Sequence, residues 1–102
     1  MGWHKVIEVE ELPEPGGRSI VRLEGKELTI LNTPDGIYCI DYRCPHTGGP
    51  LGDGRIVGGS IVCPLHRWKI DLSDGSHPHL GKAPPAGVYQ LKLEGNSILV
   101  EI

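Results

Sequence analysis

Apolar and polar residues alternate in short runs along the chain, and turn-forming residues separate these runs. Alternation with a period of two is typical of half-buried β-strands, and no segment keeps a helical period for long. The runs that predict strands are 5–9, 19–23, 27–31, 37–41, 55–57, 60–62, 68–72, 88–93 and 97–101. The pattern therefore predicts an all-β fold.

Turn signals predict how neighbouring strands pair. Glu24-Gly25-Lys26 joins the second and third runs, and Gly58-Gly59 joins the short runs 55–57 and 60–62. Glu94-Gly95-Asn96 joins the last two runs in the same way. Glycine adopts the positive φ values that tight hairpin turns require. Thr33-Pro34-Asp35-Gly36 is a further strong turn before the run 37–41. We expect a succession of antiparallel hairpins.

Length and composition bound the possible classes of protein. At 102 residues the chain can bury one modest core, so we expect a single domain over 1–102. Its 15 glycines and nine prolines are dispersed between the apolar runs, as a fold with many turns requires. A net charge of −3 without a basic stripe argues against nucleic acid or an anionic membrane as the partner. We find neither a run long enough to span a membrane nor a signal peptide.

Two short boxes, Cys44-Pro-His46 and Cys63-Pro-Leu-His66, carry the candidate chemistry. Sixteen residues separate them, and together they supply two thiolates and two imidazoles, which is a ligand set for one metal centre. An iron–sulfur cluster with two cysteines and two histidines uses such a set. Tetrahedral zinc also accepts it, although zinc fingers usually pair cysteine with cysteine and histidine with histidine. The mixed boxes favour the cluster, and structural zinc stays the alternative.

The remaining cysteine and histidines give weaker signals. Cys39 lies in the apolar run 37–41, where a buried strand thiol is expected. His77 and His79 flank a proline in a polar loop, and we expect both to be solvated. Since two of the three cysteines are assigned to the metal centre, no intramolecular disulfide remains to form. This favours a reducing, cytoplasmic location.

In its two boxes the chain resembles the Rieske [2Fe–2S] family. The resemblance implies that Cys44, His46, Cys63 and His66 hold one [2Fe–2S] cluster. It also implies a fold in which a sandwich-like or barrel-like antiparallel β base carries an inserted cluster-binding subdomain, here at about 42–85. Pro84-Pro85 stands where the family often places a third loop over the cluster.

Departures from one branch of the family suggest a low reduction potential. The cytochrome-complex branch has a disulfide across its cluster loops, and at the matching positions this chain has Gly49 and Leu65. The same branch uses a serine and a tyrosine to hydrogen-bond the cluster sulfurs, whereas Trp68 and Ile70 stand here. Such hydrogen bonds raise the potential, so we expect the low end of the Rieske range of roughly −150 to +300 mV.

The resemblance implies an electron carrier, because protein ligands would fill every ligand position and no separate nucleophile and base are evident. The blocks 46–51 and 63–75 are similar to the small subunit of assimilatory NAD(P)H-dependent nitrite reductase, whose large subunit carries flavin and sirohaem. The alternative is a Rieske-type ferredoxin that carries electrons from a flavoprotein reductase to an aromatic-ring-hydroxylating dioxygenase. The segment 68–72 favours the nitrite reductase. A structural zinc or regulatory module is a third possibility.

We expect a redox partner to make contact at the histidine end of the cluster. We expect a docking tip made of the two box histidines and their neighbours, namely Gly48, Gly49, Pro50, Leu51 and Arg67. Encounters between redox carriers and their partners usually use small, transient interfaces.

We expect the reduction potential to fall as the pH becomes alkaline, provided that the outer nitrogens of His46 and His66 reach solvent. Oxidation adds positive charge next to the imidazoles and lowers their pKa, so the oxidised protein loses a proton first and is stabilised as pH rises. Voltammetry from neutral to strongly alkaline pH measures this fall. A potential that stays flat would contradict exposed imidazole ligands.

Overall fold

The computed structural model describes residues 2–44, 48–64, 67–78 and 84–102. Its described residues form only strands, turns and two short 3₁₀ segments, Val9–Glu11 and Leu51–Asp53. The strands are β1 (Trp3–Glu8), β2 (Arg18–Leu23), β3 (Lys26–Thr33), β4 (Gly36–Asp41), β5 (Arg55–Val57), β6 (Ser60–Val62), β7 (Lys69–Asp71), β8 (Val88–Tyr89), β9 (Leu91–Glu94) and β10 (Ser97–Glu101). Within the described ranges there is no helix with the length and apolar character needed to cross a membrane.

The strands assemble into three antiparallel sheets, which confirms the all-β prediction. β1, β10 and β9 form one sheet, and β2, β3, β4 and β8 form a central sheet in that order. β5, β6 and β7 form a third, smaller sheet between the two boxes and just beyond the second. The predicted hairpins are all present, and β5 and β6 have the predicted bounds. The first hairpin turn is one residue shorter than predicted, because Leu23 pairs with Lys26 across Glu24-Gly25.

The central sheet is covered on both faces, which explains why four consecutive residues of β3 are fully buried. Leu28 and Ile30 point into a core shared with Ile98 and Val100 of β10. Leu31 belongs to a second core on the other side, shared with Ile61 of the third sheet. Side chains alternate between faces along a strand, so one strand supplies both cores. The central sheet thus holds the first sheet on one face and the box-bearing region on the other.

The predicted strand 88–93 is in fact two strands in two sheets, so that prediction was wrong. β8 pairs with β4, where Tyr89 lies opposite Cys39, and β9 pairs with β10. Gln90 lies between them, and its carbonyl accepts a hydrogen bond of 3.1 Å from the Glu101 backbone N–H. The chain therefore changes sheets at Gln90. Local alternation could not show this, because it does not report which neighbouring strand supplies the hydrogen bonds.

Arg18 ties the central sheet to the turn that follows the first box. Its Nη1 donates hydrogen bonds to the carbonyl oxygens of Gly52 and Gly54, at 2.6 and 2.5 Å. A second hydrogen bond lies nearby, in which the Tyr42 hydroxyl donates to the Asp53 carboxylate at 2.7 Å. The guanidinium contacts are partly buried, so water does not fully replace them.

We expect Arg18→Met to lower the free energy of unfolding by about 1–3 kcal/mol, because two part-buried carbonyl groups lose a charged donor. The control is Arg22→Met on the same strand. The Arg22 side chain is 82% exposed, and its one ion pair among the described residues is with Glu27 at 3.4 Å, so its loss should cost below about 0.5 kcal/mol.

Thermal unfolding of the cluster-loaded protein measures both variants, since 1 kcal/mol corresponds to about 4–8 °C in a domain of this size. Equal shifts in the two variants would show that the Arg18 contacts do not join the sheet to the turn.

Candidate metal centre

The first box begins a closed backbone loop after β4. The Cys44 N–H donates to the Gly49 carbonyl at 2.8 Å, and the Gly48 N–H donates back to the Cys44 carbonyl at 2.8 Å. Gly48 adopts a φ of 73°, in the left-handed region. The loop therefore folds back on its own cysteine within five residues.

The second box, after β6, has the same backbone hydrogen bonds. The Cys63 N–H donates to the Trp68 carbonyl at 2.9 Å, and the Arg67 N–H donates to the Cys63 carbonyl at 2.8 Å. Arg67 has a φ of 59° and occupies the place that Gly48 has in the first loop. The two loops thus present their cysteines in the same local backbone environment, although their sequences differ.

Arg67 is a feature that sequence reasoning missed. Left-handed backbone costs a residue with a Cβ atom about 1–2 kcal/mol, and glycine avoids this cost. A glycine at this point would have suggested the loop shape, as Gly48 does in the first box. Because an arginine stands at this position, the sequence does not indicate that the two loops are equivalent. The backbone conformation shows it.

The two box cysteines lie in the same buried core. Cys44 is 3% exposed and Cys63 is fully buried, and neither forms a disulfide. The other members of this core are apolar, namely Leu31, Ile40, Leu51, Ile61, Ile70, Leu72 and Ala86. Two sulfur donors in one apolar core suit a metal centre that prefers soft ligands.

His46 and His66 lie outside the described residues. Within the described ranges, His, Cys, Asp and Glu side chains form no group of three or more able to hold a metal. The described half of the predicted ligand set is therefore Cys44 and Cys63. The chemistry of this half fits an iron–sulfur cluster, whose cysteine ligands bind as thiolates.

Residues 2–91 match the Rieske [2Fe–2S] domain family. The chain belongs to this family. Its cofactor is accordingly a Rieske-type [2Fe–2S] cluster, and the protein is an electron carrier of the Rieske ferredoxin type.

Relatives of similar length are also ferredoxins. The ferredoxin component of the naphthalene 1,2-dioxygenase system of Pseudomonas aeruginosa is 30% identical, over 98% of this chain and 95% of its own length. The ferredoxin of carbazole 1,9a-dioxygenase from Nocardioides aromaticivorans IC177 superimposes with a TM-score of 0.82. It is 26% identical, with coverage of 98% of this chain and 97% of its own.

A protein assigned as the small subunit of an NADPH nitrite reductase also has this fold. It superimposes with a TM-score of 0.81 over the full length of both chains. The two are 18% identical, so the likeness concerns the fold alone.

Cys39 is a buried strand thiol, as predicted. It is fully buried on β4, in the core shared with the first sheet and on the opposite side from the Rieske cysteines. Burial, with a smaller contribution from the Asp41 carboxylate, raises the pKa of this thiol to about 12. A thiol with so high a pKa is not a thiolate at neutral pH.

The prediction that His77 is solvated was wrong. His77 is only 6% exposed, and its ring centroid lies 4.8 Å from that of Trp68 in the second Rieske loop. Its Nε2 lies 3.0 Å from the Pro84 carbonyl oxygen, and because a carbonyl only accepts, Nε2 carries the proton. His77 therefore connects Trp68, in the loop of the second box, to the segment that contains Pro84. His79 lies outside the described residues.

The predicted docking tip is only partly at the surface. Gly48 and Arg67 are exposed, whereas Gly49 is buried and Leu51 is fully buried in the core of the Rieske cysteines. Leu51 was predicted as a docking residue because it was placed among the residues around the two box histidines. The 3₁₀ turn Leu51–Asp53 instead turns its side chain inward.

We expect Gly48→Ala and Arg67→Gly to change stability in opposite directions. The alanine lowers the free energy of unfolding by about 1–2 kcal/mol and the glycine raises it by about 0.5–1 kcal/mol, since both positions require left-handed backbone. Apart from its chain neighbours, no residue that the structure describes lies within 4 Å of a Cβ atom added at Gly48, so the expected loss is assigned to the backbone conformation.

Gly59→Ala is the control, because Gly59 also has open space around it but lies outside the left-handed region. Its effect should stay within about 0.5 kcal/mol. Unfolding midpoints of the cluster-loaded proteins measure all three. A loss of stability in Arg67→Gly would contradict the equivalence of the loops.

Proposed function

We propose that this chain is the ferredoxin component of a multicomponent oxygenase that hydroxylates aromatic rings. In this role it accepts electrons from a flavoprotein reductase and delivers them to a terminal dioxygenase. The observation that carries the proposal is the 30% identity to the naphthalene dioxygenase ferredoxin over nearly the whole of both chains. It outweighs the preference for nitrite reductase that the segment 68–72 suggested.

We further propose that Cys44, His46, Cys63 and His66 ligate the cluster. The equal backbone hydrogen bonding of the two loops supports this, because each loop contributes one cysteine and one histidine from equivalent starting points. In a Rieske centre two histidines take the place of two cysteines on one of the irons. With all ligand positions filled by protein, the chain has no coordination site for a substrate.

The surroundings of the cysteines support a low-potential carrier. Ile70 is fully buried in the same core as Cys44 and Cys63, and its side chain has no hydrogen-bond donor to offer a sulfur. Donors of this kind raise the potential, so the low end of the Rieske range stays a prediction. A cytoplasmic location also stays a prediction, and the absence of a disulfide among the three cysteines is consistent with it.

We propose one Rieske domain over 1–102, with the cluster-binding subdomain at about 42–85. The third sheet and both box cysteines fall inside that segment, whereas the first and central sheets use residues on both sides of it. The Arg18 contacts to Gly52 and Gly54 join the two parts.

The small subunit of a nitrite reductase is the second candidate. The resemblance of the blocks 46–51 and 63–75 favours it, and the shared fold is compatible with it. Both candidates use the same cluster, so only the redox partners distinguish them.

The ligand set is tested by pulsed electron paramagnetic resonance on the dithionite-reduced protein, with iron and zinc analysis. We expect two irons per chain and couplings from two histidine nitrogens. These couplings change when the histidines are labelled with ¹⁵N.

His66→Ala should abolish the two-histidine signal, and His4→Ala, outside both boxes, should preserve it. A colourless protein that contains stoichiometric zinc would overturn the proposal in favour of a structural module.

The partner is tested by reconstitution with the reductase and oxygenase from the same organism, and in parallel with its sirohaem nitrite reductase. We expect NAD(P)H-dependent ring hydroxylation to require this protein and to collapse with His66→Ala. Nitrite reduction that requires the protein, without any support of hydroxylation, would favour the second candidate.

A further inference from the structure

The charged residues of this chain are divided unevenly between its two parts. Residues 42–85 carry five basic and three acidic side chains, a formal charge of +2. The rest of the chain carries five basic and ten acidic side chains, a formal charge of −5. The net charge of −3 is therefore the sum of a positive cluster-binding end and a negative base.

Two of the basic residues lie in one row across the third sheet. Val62 of β6 pairs with Arg55 on one side and Lys69 on the other. Residues paired across antiparallel strands point to the same face of the sheet, so Arg55 and Lys69 flank Val62, with Cα atoms about 10 Å apart. Cys63 follows Val62 directly. The row thus lies one residue from a proposed cluster ligand.

These charges are available to a partner. Arg55, Arg67 and Lys69 are exposed, and none forms an ion pair with another residue that the structure describes. In contrast, Arg43 at the first box is paired with Glu27 at 3.0 Å.

A groove of about 450 Å³ lies beside the row. Arg55 and Arg67 line it together with Val62, Cys63 and the acidic Asp53. The Asp53 carboxylate accepts a hydrogen bond of 2.7 Å from the Tyr42 hydroxyl, so one of its oxygens is already engaged within the protein. Two cations against one anion leave the groove positive, and it borders the proposed ligand Cys63.

The next row of the same face carries one acid, Asp71, which lies opposite Ser60. Its Oδ1 accepts hydrogen bonds from the Ser73 backbone N–H and hydroxyl, at 2.8 and 2.5 Å. Asp71 is therefore engaged within its own turn and does not pair with Lys69.

We propose that Arg55, Arg67 and Lys69 form a docking surface for an acidic protein surface around the redox centre of the partner. This inference rests on the proposed function, in which the protein exchanges electrons with protein partners, and adds the charge of the partner surface. An acidic partner is repelled by the base and attracted by this face, so it arrives with the cluster-binding end turned towards it. Complementary charge acts mainly on the association rate and on orientation.

Small anionic oxidants test the local charge without knowledge of the partner. We measure the rate at which ferricyanide takes one electron from the reduced protein, between about 0.05 and 0.5 M salt. In this range the Debye length, of the order of 10 Å, is shorter than the 40 Å molecule, so the nearby charges dominate. We expect the rate to fall as salt is added. The negative net charge of the whole protein acting alone would make the rate rise with salt, and a rise would overturn the proposal.

Lys69→Glu and Lys26→Glu are a matched pair of variants. Both lysines are exposed and begin a strand, and both changes alter the net charge by the same amount, but Lys26 lies in the base. We expect Lys69→Glu to lower the rate at low salt by about three- to tenfold, with Lys26→Glu close to the native rate. Arg55→Gln provides a second, milder test at the other end of the row. Equal effects of the two lysine variants would contradict a local docking surface.

Binding is measured separately from electron transfer with hexacyanocobaltate(III), a redox-inert anion of the same charge. We expect the anion to change the amide chemical shifts of ¹⁵N-labelled protein mainly at 55–57, 62 and 67–69. These changes should vanish in Lys69→Glu. Shifts spread over the base would contradict the inference.

Iron content and the paramagnetic resonance signal of the same samples report on the cluster. Their loss would count against the proposed function, whereas an intact cluster with the wrong salt dependence would count against the docking surface alone.

Discussion

The burial of the central sheet on both faces is the constraint on which the rest of the structure depends. Leu28 and Ile30 of β3 face the first sheet, and Leu31 faces the core that contains Cys44 and Cys63. A fully buried leucine or isoleucine stabilises a fold by about 1.5–3 kcal/mol. Because β3 contributes such residues to both cores, the packing of both layers depends on this strand. The cluster-binding region is therefore held by the packing of the base, and the Arg18 hydrogen bonds fix its position on the sheet.

The two cysteine loops show how different sequences reach one geometry. Pro45 and Pro64 follow the cysteines and disfavour helical backbone for the residue before them. The equal hydrogen bonds then require left-handed backbone four residues after each cysteine, at Gly48 and at Arg67. The strain at Arg67 is compatible with a role for its charge at the surface, because a glycine there would relax the backbone but carry no charge.

The distribution of charge links the fold to its function as a carrier. The inserted segment places Arg55 and Lys69 on the third sheet, while the rest of the chain carries ten of the 13 acidic residues. An electron carrier must expose its cluster end to one partner after another, and a positive end on a negative body favours that orientation without a large interface. The family assignment identifies the cluster, and the proposed docking surface adds a preference for acidic partners.

The sequence by itself determined the fold class, the hairpins and the two cysteine boxes, because alternation, turn residues and ligand spacing are local properties. The strands β5 and β6 around Gly58-Gly59 were predicted to the residue, and Cys39 was correctly assigned to a buried strand. The tertiary structure alone decided contacts between distant residues. Among these are the pairing of β1 with β10, the change of sheets at Gln90 and the burial of His77 against Trp68. Each depends on which segments meet in space, and a local pattern of polar and apolar residues does not contain that information.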